Sequence, residues 1–536
     1  MTAPNVVFIV ADDLGFSDPG CYGGELQTPA LDRLAAEGTR LSQFYTGARC
    51  SPSRASLLTG LHPQQVGLGI LTNDDGPRGY PGTLAEDCVT LAEILADAGF
   101  TTAVVGKWHL AADVRRPNGA WPLRRGFEHF FGTLSGCGSY YDPPTLTRGE
   151  SNAEAEARDP AFFYTDAITD AAVDFVASRA GTRPRRPFFL YVAYTAPHWP
   201  LHEPDEGQIA AYDGIFDDGW DALRASRLER IHATGLLGPE AKLSDADPDR
   251  PAWTNATHHA WQLRRMQVYA AQVERMDRGI GRILSALEET GALDDTLVIF
   301  LSDNGASPEE LPLVPLERFR GRTDILRLQT RSGSPVAIGN EPSRSPGAED
   351  TFQSYGRAWA NLSNTPFRRY KRWVHEGGIC APCIICWRSG GIAEGRVIDA
   401  PFQLIDVVPT VLDATDAPYP AERNGRPIPP AEGRSILPAL RGDEVPESSL
   451  YWEHTGNAAV RRGRWKLVRE HGRPWELYDL TADRSELRDM SAEEPGLTAE
   501  LTADWQAWAR RVGLIPWEVT LEIYRRRGRD EVDAAG

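Results

Sequence analysis

Residues 5–13 read Asn5-Val6-Val7-Phe8-Ile9-Val10-Ala11-Asp12-Asp13, an unbroken apolar run that ends in two carboxylates. A run without alternating polar residues is typical of a strand that is buried on both faces of a parallel sheet. The first strand is predicted at 5–10, further strands at 101–105, 188–194 and 296–301, and helical patterns at 30–37, 89–98 and 261–289. The sequence therefore predicts an α/β fold, with a large mixed, mostly parallel sheet sandwiched by helices.

The pattern changes after about residue 440. Short alternating segments follow at 450–454, 458–461, 465–469 and 475–479, and then a helical pattern at 498–512. They predict a small antiparallel sheet packed with a helix, and two domains, residues 1–440 and 441–536. The Pro- and Gly-rich stretch 417–433 is interpreted as a linker, and residues 305–360 as a long surface excursion.

Composition excludes several classes of protein. The 536 residues include 75 acidic and 57 basic side chains, a net charge of −18, and 41% hydrophobic residues. No apolar stretch approaches the roughly 20 residues that span a bilayer, and no long basic run is present, so neither a membrane nor a nucleic acid is expected as a partner. Seven cysteines and an N-terminus without a signal-peptide pattern favour a cytoplasmic protein without a disulfide framework.

Polar residues lie where two predicted strands end. Asp12-Asp13 follows the first strand, and Asp303-Asn304 follows the strand that ends at Leu301. Brought to one edge of a sheet, their oxygens would suit Ca²⁺ or Mg²⁺ far better than zinc or copper. The alternative is that each pair only caps a helix or a turn.

The stretch Cys50-Ser51-Pro52-Ser53-Arg54 is the strongest single feature. Pro52 suits the first turn of a helix, which would place Cys50 at a helix N-terminus, where anions are favoured. Cys50 could there be a thiolate of lowered pKa or a plain buried cysteine.

The chain resembles the type I sulfatases of the alkaline-phosphatase superfamily, and within them the bacterial arylsulfatases. Six motifs in the family's order carry the resemblance: residues 5–15, Cys50-Ser51-Pro52-Ser53-Arg54, Gly106-Lys107-Trp108-His109-Leu110, Ala196-Pro197-His198-Trp199-Pro200, Ser302-Asp303-Asn304-Gly305, and Lys371 ahead of Glu376-Gly377-Gly378. Together they are very specific, whereas any one alone would be weak.

The resemblance implies a modified nucleophile and a metal ion. In this family a separate maturation enzyme, the expected protein partner, oxidises the cysteine that Cys50 matches to Cα-formylglycine. One hydroxyl of the hydrated aldehyde can attack sulfur, and the other can expel sulfate afterwards. The implied metal ligands are Asp12, Asp13, Asp303, Asn304 and residue 50. Ca²⁺ is expected, with Mg²⁺ or Mn²⁺ open on ligand type.

The catalytic residues implied by the resemblance are Cys50, Arg54, Lys107, His109, His198 and Lys371. His109 is assigned as the base that reforms the aldehyde, with Lys107 as its electrostatic support; the two would point the same way if the strand at 101–105 continued. Lys107, His198 and Lys371 are expected to bind the sulfate, with His198 as general acid. His454 is a candidate substrate contact, with a structural role as its alternative, and residues 136–144 are a candidate rim loop.

These observations predict a hydrolase of sulfate monoesters, with small-molecule aryl sulfates as the expected substrates. One alternative is a phosphate or phosphonate monoester hydrolase of the same superfamily. Another is a non-catalytic calcium-binding protein in which Cys50 stays a thiol. The run Cys380-Ala381-Pro382-Cys383-Ile384-Ile385-Cys386 is interpreted as a buried strand, because it lacks a fourth cysteine at the spacing of a metal cluster.

Overall fold

The computed structural model describes residues 3–73, 76–181, 186–313 and 321–527. The strands of this part of the chain are β1 (Asn5–Ala11), β2 (Thr39–Leu41), β3 (Phe44–Tyr45), β4 (Thr101–Gly106), β5 (His129–Thr133), β6 (Leu146–Arg148), β7 (Ser151–Asn152), β8 (Phe188–Ala193), β9 (Thr296–Ser302), β10 (Ala337–Ile338), β11 (Thr351–Phe352), β12 (Cys383–Cys386), β13 (Arg396–Ile398), β14 (Phe402–Gln403), β15 (Glu422–Arg423), β16 (Arg426–Pro427), β17 (Ser449–His454), β18 (Asn457–Arg462), β19 (Trp465–Arg469) and β20 (Glu476–Asp479). The α-helices are α1 (Pro29–Glu37), α2 (Cys50–Thr59), α3 (Leu91–Asp97), α4 (Tyr164–Ser178), α5 (Glu206–Ala210), α6 (Gly219–Ala233), α7 (His259–Glu289), α8 (Arg357–Ser363), α9 (Glu376–Ile379), α10 (Val407–Thr415), α11 (Leu437–Arg441), α12 (Pro495–Arg511) and α13 (Trp517–Arg526).

A ten-stranded sheet forms the centre of the molecule, in the order β13-β2-β12-β9-β1-β8-β4-β5-β6-β7. β1 pairs in parallel with β9 on one side and β8 on the other, and β4 pairs in parallel with β8 and β5. β12 is antiparallel to both of its neighbours, and β6 and β7 extend the far edge in antiparallel order. The predicted mixed, mostly parallel sheet is confirmed.

Helices cover both faces of this sheet, because β1 sends alternate side chains to opposite faces. Val7 and Ile9 belong to one apolar core, together with residues of α1, α4 and α7. Phe8 and Val10 belong to a second core, together with residues of α2, α3 and α10. All four side chains are fully buried, and each such burial contributes roughly 1.5–3 kcal/mol. The sheet is thereby held between two helical layers.

The predicted small antiparallel sheet with a helix is also confirmed. β17, β18, β19 and β20 form it in that order. One face, with Ala459 and Val468, joins the first core, and the other, with Val460 and Leu467, packs against α12. Trp452 of β17 donates its indole N–H to the carbonyl oxygen of Thr46 at 3.0 Å. This sheet therefore packs directly on the main sheet's own core.

Three segments differ from their prediction. α13 was not predicted, because its short, Arg-rich pattern resembles a polar tail. Within 305–360, residues 314–320 lie outside the described residues, while Tyr355 and Trp359 are buried rather than on the surface because they pack into the first core. The stretch 417–433 holds the short hairpin β15–β16 and leads into α11, which is packed in the second core. In these segments small and polar residues separate the few aromatic and aliphatic side chains that are buried. The sequence pattern was therefore interpreted as that of loops.

Among the described helices, none combines the length and the apolar character that crossing a lipid bilayer requires.

Candidate active site

The carboxyl ends of β1 and β9 bring the two predicted acidic pairs together. Ala11 lies opposite Ser302 in the parallel register, so Asp12-Asp13 and Asp303-Asn304 leave the sheet side by side. The amide nitrogen of Asn304 donates to Asp13 Oδ1 at 2.6 Å. All four side chains are at most 2% exposed. Capping alone would not require three buried carboxylates at one point, where they repel one another.

The oxygens of this group fit a hard divalent cation. Asp12 Oδ1 and Asn304 Oδ1 are buried and have no hydrogen-bond partner in the structure. An unpartnered buried acceptor is costly, and a cation that coordinates both would satisfy them. Asp12, Asp13 and His198 also present ligand atoms within 4.8 Å of one another. Asp12, Asp13, Asp303 and Asn304 are thus the side chains that would hold such an ion.

Opposing electrostatic effects give the carboxyl groups of Asp12 and Asp303 different pKa values. Burial raises the pKa of Asp12, but Lys107, His198 and Arg54 outweigh it and hold this pKa at about 2. Burial and the neighbouring Asp12 charge instead raise the pKa of Asp303 to about 7. One carboxylate is therefore firmly ionised, while the other resists ionisation until a cation offsets its neighbour.

Cys50 begins α2, and Pro52 lies in its first turn as predicted. The Cys50 side chain is 3% exposed, and its Sγ lies 3.4 Å from His109 Nδ1. Burial raises the pKa of the thiol despite the nearby charges of Lys107 and Lys371. The hypothesis of a thiolate of lowered pKa is therefore wrong, because removal from water outweighs the helix N-terminus and the lysines.

Arg54 lies one turn after Cys50 and faces the acidic group. Its Nε and Nη2 lie 2.9 and 2.8 Å from Asp303 Oδ2, and its Nη1 donates to the carbonyl oxygen of Lys107 at 3.2 Å and to Tyr191 Oη at 3.3 Å. The side chain is fully buried. Arg54 therefore connects α2 to the ends of β4 and β9 and is not exposed on the surface.

Lys107 and His109 both reach the site, but not along a continued strand. β4 ends at Gly106, and His109 has a positive φ of 55°. Lys107 Nζ forms an ion pair with Asp12 Oδ2. Burial and the charge of Lys107 hold the pKa of His109 well below its usual value, so the ring is neutral. The two side chains therefore converge because the backbone turns after β4, whereas the prediction assumed strand geometry.

His198 and Lys371 form the opposite wall. Lys371 Nζ lies 2.8 Å from Asp13 Oδ2 and 3.3 Å from His198 Nε2. The carbonyl oxygen of Trp199 accepts from His198 Nδ1 at 2.7 Å, which leaves Nε2 facing the site. Burial lowers the pKa of His198 although Asp13 opposes the shift. Arg369 and Arg372, at φ values of 65° and 86°, flank Lys371, so the lysine lies in a strained loop.

A cavity of about 310 Å³ opens onto these groups. Cys50, His109, His198 and Lys371 line its inner end. Its outer part is lined by apolar and charged side chains: Leu71, Val114, Trp199, Ile325, Asp113, Arg115, Arg322 and Asp324. Gly136 and Cys137 of the predicted rim loop also line it, whereas Tyr140 and Tyr141 of that loop are buried.

His454 lies outside this cavity. It is 3% exposed and lines a separate cavity of about 30 Å³ with Ala48, Pro52 and Trp452. Its Nδ1 has no hydrogen-bond partner in the structure. The structure thus brings together the other predicted site residues but keeps His454 behind the wall that carries Cys50.

Two charged residues of the site were missed by the sequence analysis. Arg49 precedes Cys50 and lines the cavity, and Glu309 follows Asp303-Asn304 by only a few positions. Arg49 Nη1 and Glu309 Oε1 are 3.0 Å apart. Their closeness in sequence to two motifs was the available signal, but nothing in the pattern showed that the chain folds back on itself there.

Comparison with known proteins agrees with this geometry. The pattern of the family described as "Sulfatase" matches residues 4–417. The chain belongs to the sulfatase family. A second pattern, "N-sulphoglucosamine sulphohydrolase, C-terminal", matches residues 368–505. Membership confirms the predicted type I sulfatase relationship within the alkaline-phosphatase superfamily.

Relatives of this sulfatase span most of its length. An uncharacterized sulfatase of Schizosaccharomyces pombe is 32% identical and covers 96% of this chain and 94% of its own. An arylsulfatase of Klebsiella aerogenes is 33% identical over 81% of this chain and 91% of its own. The solved structure of Ps i-CgsB in complex with k-i-k-neocarrahexaose has a TM-score of 0.66 at 23% identity, covering 95% and 93%. The last shows a shared fold.

Proposed function

We propose that this sulfatase hydrolyses small aryl sulfates, the sulfate monoesters of phenols, at the cavity lined by Cys50. The observation that carries the proposal is the convergence on one buried residue. Cys50 Sγ lies 3.4 Å from His109 Nδ1, beside Lys371 and His198 and next to two unpartnered buried oxygens. Family membership supports sulfate ester hydrolysis, and the arylsulfatase relative together with Leu71, Val114, Trp199 and Ile325 supports an aromatic leaving group.

The nucleophile in this proposal is a formylglycine hydrate made from Cys50 by a maturation enzyme. That group supplies a hydroxyl for attack on sulfur and a second hydroxyl for the release of sulfate. His109, which is neutral and within 3.4 Å of the residue 50 side chain, accepts the proton of the second hydroxyl. Lys107 stabilises charge at residue 50 while Asp12 holds it in place.

The proposed metal is Ca²⁺, with Mg²⁺ or Mn²⁺ as alternatives for the same oxygens. Asp12, Asp13, Asp303, Asn304 and residue 50 would hold it, and the ion would neutralise negative charge on the sulfate. Arg54 fixes Asp303 through two contacts below 3.0 Å, so this ligand is positioned before any ion binds.

Lys371 and His198 bind the sulfate end of the ester, and His198 protonates the oxygen of the leaving group. Burial lowers the pKa of His198, and a histidine must hold a proton to act as general acid. Lys371 Nζ and Asp13 Oδ2, which both lie 3.3 Å from His198 Nε2, are positioned to control that proton. His454 is proposed to support the wall behind Cys50 rather than to contact the substrate, since it lines a different cavity.

A substrate comparison on protein of known modification state tests the proposal. Mass spectrometry of the peptide that contains residue 50 first establishes formylglycine after co-expression with the maturation enzyme. We expect a higher kcat/KM for 4-nitrophenyl sulfate than for 4-nitrophenyl phosphate or an aryl phosphonate ester, and none of this activity in protein with an unmodified thiol. A higher kcat/KM for either phosphorus ester would support the alternative hydrolase of the same superfamily. A persistent thiol after co-expression would support a non-catalytic calcium-binding protein.

A further inference from the structure

Glu309 is a carboxylate at the site that the proposed reaction does not use. Its Oε1 accepts from Arg49 Nη1 at 3.0 Å, and its Oε2 accepts from Trp199 Nε1 at 2.6 Å and from Ser307 Oγ at 2.5 Å. Oε2 also lies 3.6 Å from Lys371 Nζ. The side chain is 18% exposed. A negative charge is thus built into the wall that carries two cavity-lining cations.

This carboxylate stays ionised. Burial opposes ionisation, but the charges of Lys371 and Arg49 outweigh it and hold the pKa of Glu309 well below its usual value. A neutral residue could have accepted the indole N–H of Trp199. The full negative charge of Glu309 therefore repels any anion that binds beside Lys371 and Arg49.

Glu309 belongs to a continuous set of charged groups. Among the described residues, ion pairs of at most 4.0 Å form two groups, one of Arg49, Glu309, Lys371 and Asp13 and one of Asp12, Asp303, Arg54 and Lys107. The backbone N–H of Asp13 donates to Asp303 Oδ1 at 3.4 Å and joins the two groups. The three aspartates are the proposed metal ligands. The oxygens of Glu309 instead face Arg49, Trp199, Ser307 and Lys371, so Glu309 offsets positive charge at the anion-binding wall alone.

An offset of this kind discriminates between anions by their charge. Coulomb repulsion is proportional to the charge on the ligand, so Glu309 disfavours a dianion twice as strongly as a monoanion at the same place. A sulfate monoester carries one negative charge, whereas a phosphate monoester carries close to two above its second pKa of about 6. Both have similar tetrahedral ends, so shape alone separates them poorly.

We propose that Glu309 is a specificity-determining residue that biases the site towards monoanionic sulfate esters and against dianionic phosphate esters. It acts through Arg49 and Lys371 and is a positioning residue, without contact to the reacting atoms. This inference rests on the proposed function, because it assumes that the cavity binds the ester next to Lys371.

Binding without turnover tests the inference. In a metal-loaded Cys50→Ala background, the affinities for 4-nitrophenyl sulfate and 4-nitrophenyl phosphate are measured by calorimetry at pH 8 and pH 5. Glu309→Gln should raise the phosphate-to-sulfate affinity ratio by about tenfold at pH 8, from one added unit of ligand charge at close range. At pH 5, below that second pKa, less of the phosphate ester is a dianion, and the rise in the ratio should be clearly smaller than at pH 8.

Two control variants separate charge from structure. Glu309→Asp keeps the charge and should restore the ratio of the Cys50→Ala background. Glu310→Gln changes the next residue, which pairs with Arg265 at 2.9 Å and is 53% exposed, and should leave the ratio unchanged. A ratio that does not rise at pH 8, or that rises equally at pH 5, would overturn the proposal in favour of a purely structural role.

A further measurement covers the case in which Glu309→Gln does not fold. The Cys50→Ala protein alone should bind the sulfate ester at least as tightly as the phosphate dianion at pH 8, and the opposite order contradicts the inference. The proposed function fails separately: formylglycine-bearing wild-type protein would then cleave no sulfate ester. If it cleaves sulfate esters and the affinity ratio does not respond to Glu309→Gln, only the role of Glu309 is wrong.

Discussion

Two buried clusters of charged side chains lie at opposite ends of the segment from Lys371 to Glu376. The two clusters differ in how their carboxylate oxygens are paired. The site cluster, the eight side chains from Asp12 to Lys371 named above, leaves Asp12 Oδ1 without a partner. The interface cluster consists of Glu376, Arg461, Lys466, Arg484 and Glu486, between the main sheet's core and the C-terminal sheet. There, every carboxylate oxygen has a donor or cation within 3.0 Å, including Glu486 Oε1, which has no hydrogen bond but lies 2.8 Å from Lys466 Nζ. The cation nearest to Asp12 Oδ1 is instead Arg54 Nη2, at 4.0 Å.

The difference indicates which cluster is arranged for a ligand. Lys466 is completely buried between Glu376 Oε1 at 2.7 Å and Glu486 Oε1 at 2.8 Å, so these charges neutralise one another inside the fold. In the site cluster, the carboxylates of Asp12, Asp13 and Asp303 lie together, and Asp12 Oδ1 has no hydrogen-bond partner. Substitutions in the site cluster should therefore affect binding and turnover, and substitutions in the interface cluster should affect the free energy of unfolding.

The largest expected effect is the loss of turnover in Cys50→Ala. Without a side chain that can become the nucleophile, kcat/KM for 4-nitrophenyl sulfate should fall about 10⁴-fold or more. The midpoint of urea unfolding should change little, because no ion pair is broken. Cys88→Ala is the matched control: Cys88 is buried outside the site, so folded protein should keep its activity. Retained activity in Cys50→Ala would contradict the assignment of the nucleophile.

Lys466→Met should have the largest effect on stability. It leaves the carboxylates of Glu376 and Glu486 buried without their common cation, which costs about 3–5 kcal/mol of unfolding free energy. The measurement is urea denaturation followed by fluorescence. Lys242→Met, at an exposed lysine, is the control and should change stability by less than about 0.5 kcal/mol. If Lys466→Met lowers the free energy of unfolding by less than about 1 kcal/mol, the interface cluster does not stabilise the fold as the comparison of the two clusters predicts.

The sequence was sufficient to predict the sheet, its helical layers and the C-terminal sheet, because their apolar periodicities are local. β19 was predicted with its observed bounds, and β1, β4 and β9 within one residue. The side chains of the proposed metal site were brought to one place because parallel strands deliver their carboxyl ends to one edge. α13 was missed, since its helix has only a short apolar face, on which Leu521 and Tyr524 are buried.

Contacts between distant segments could not be predicted in the same way. Glu309 reaches Arg49 across 260 positions, and Lys466 reaches Glu376 across 90. No periodicity reports which charges will be removed from water together. The same limit explains Cys50, whose raised pKa depends on burial that a helix N-terminus alone does not reveal.

Calcium should stabilise the protein through the site cluster alone. At a free Ca²⁺ concentration of 100 times Kd, the unfolding free energy should rise by about 2.7 kcal/mol. Asn304→Ala removes an unpartnered oxygen and should lose most of this rise, whereas Lys466→Met should keep it from its lower starting point. Thermal unfolding with and without a chelator provides the measurement. An equal rise in Asn304→Ala would contradict the proposed ligand set.

The smallest expected effect concerns a neutral residue at the same boundary as the interface cluster. His62 is 4% exposed, and its ring packs edge-on against Trp508 of α12 with centroids 5.1 Å apart. Burial lowers the pKa of His62 to about 4. The unfolded chain binds this proton near pH 6.5, so stability is complete above that pH and is lost as the pH falls towards 4.

Between pH 7 and pH 5 this loss should amount to about 2 kcal/mol for His62 alone. His62→Gln should remove that share of the acid-induced loss, as measured by urea denaturation at both pH values. His258→Gln, at an exposed position before α7, should keep the full slope. An unchanged slope in His62→Gln would mean that the boundary opens before His62 is protonated.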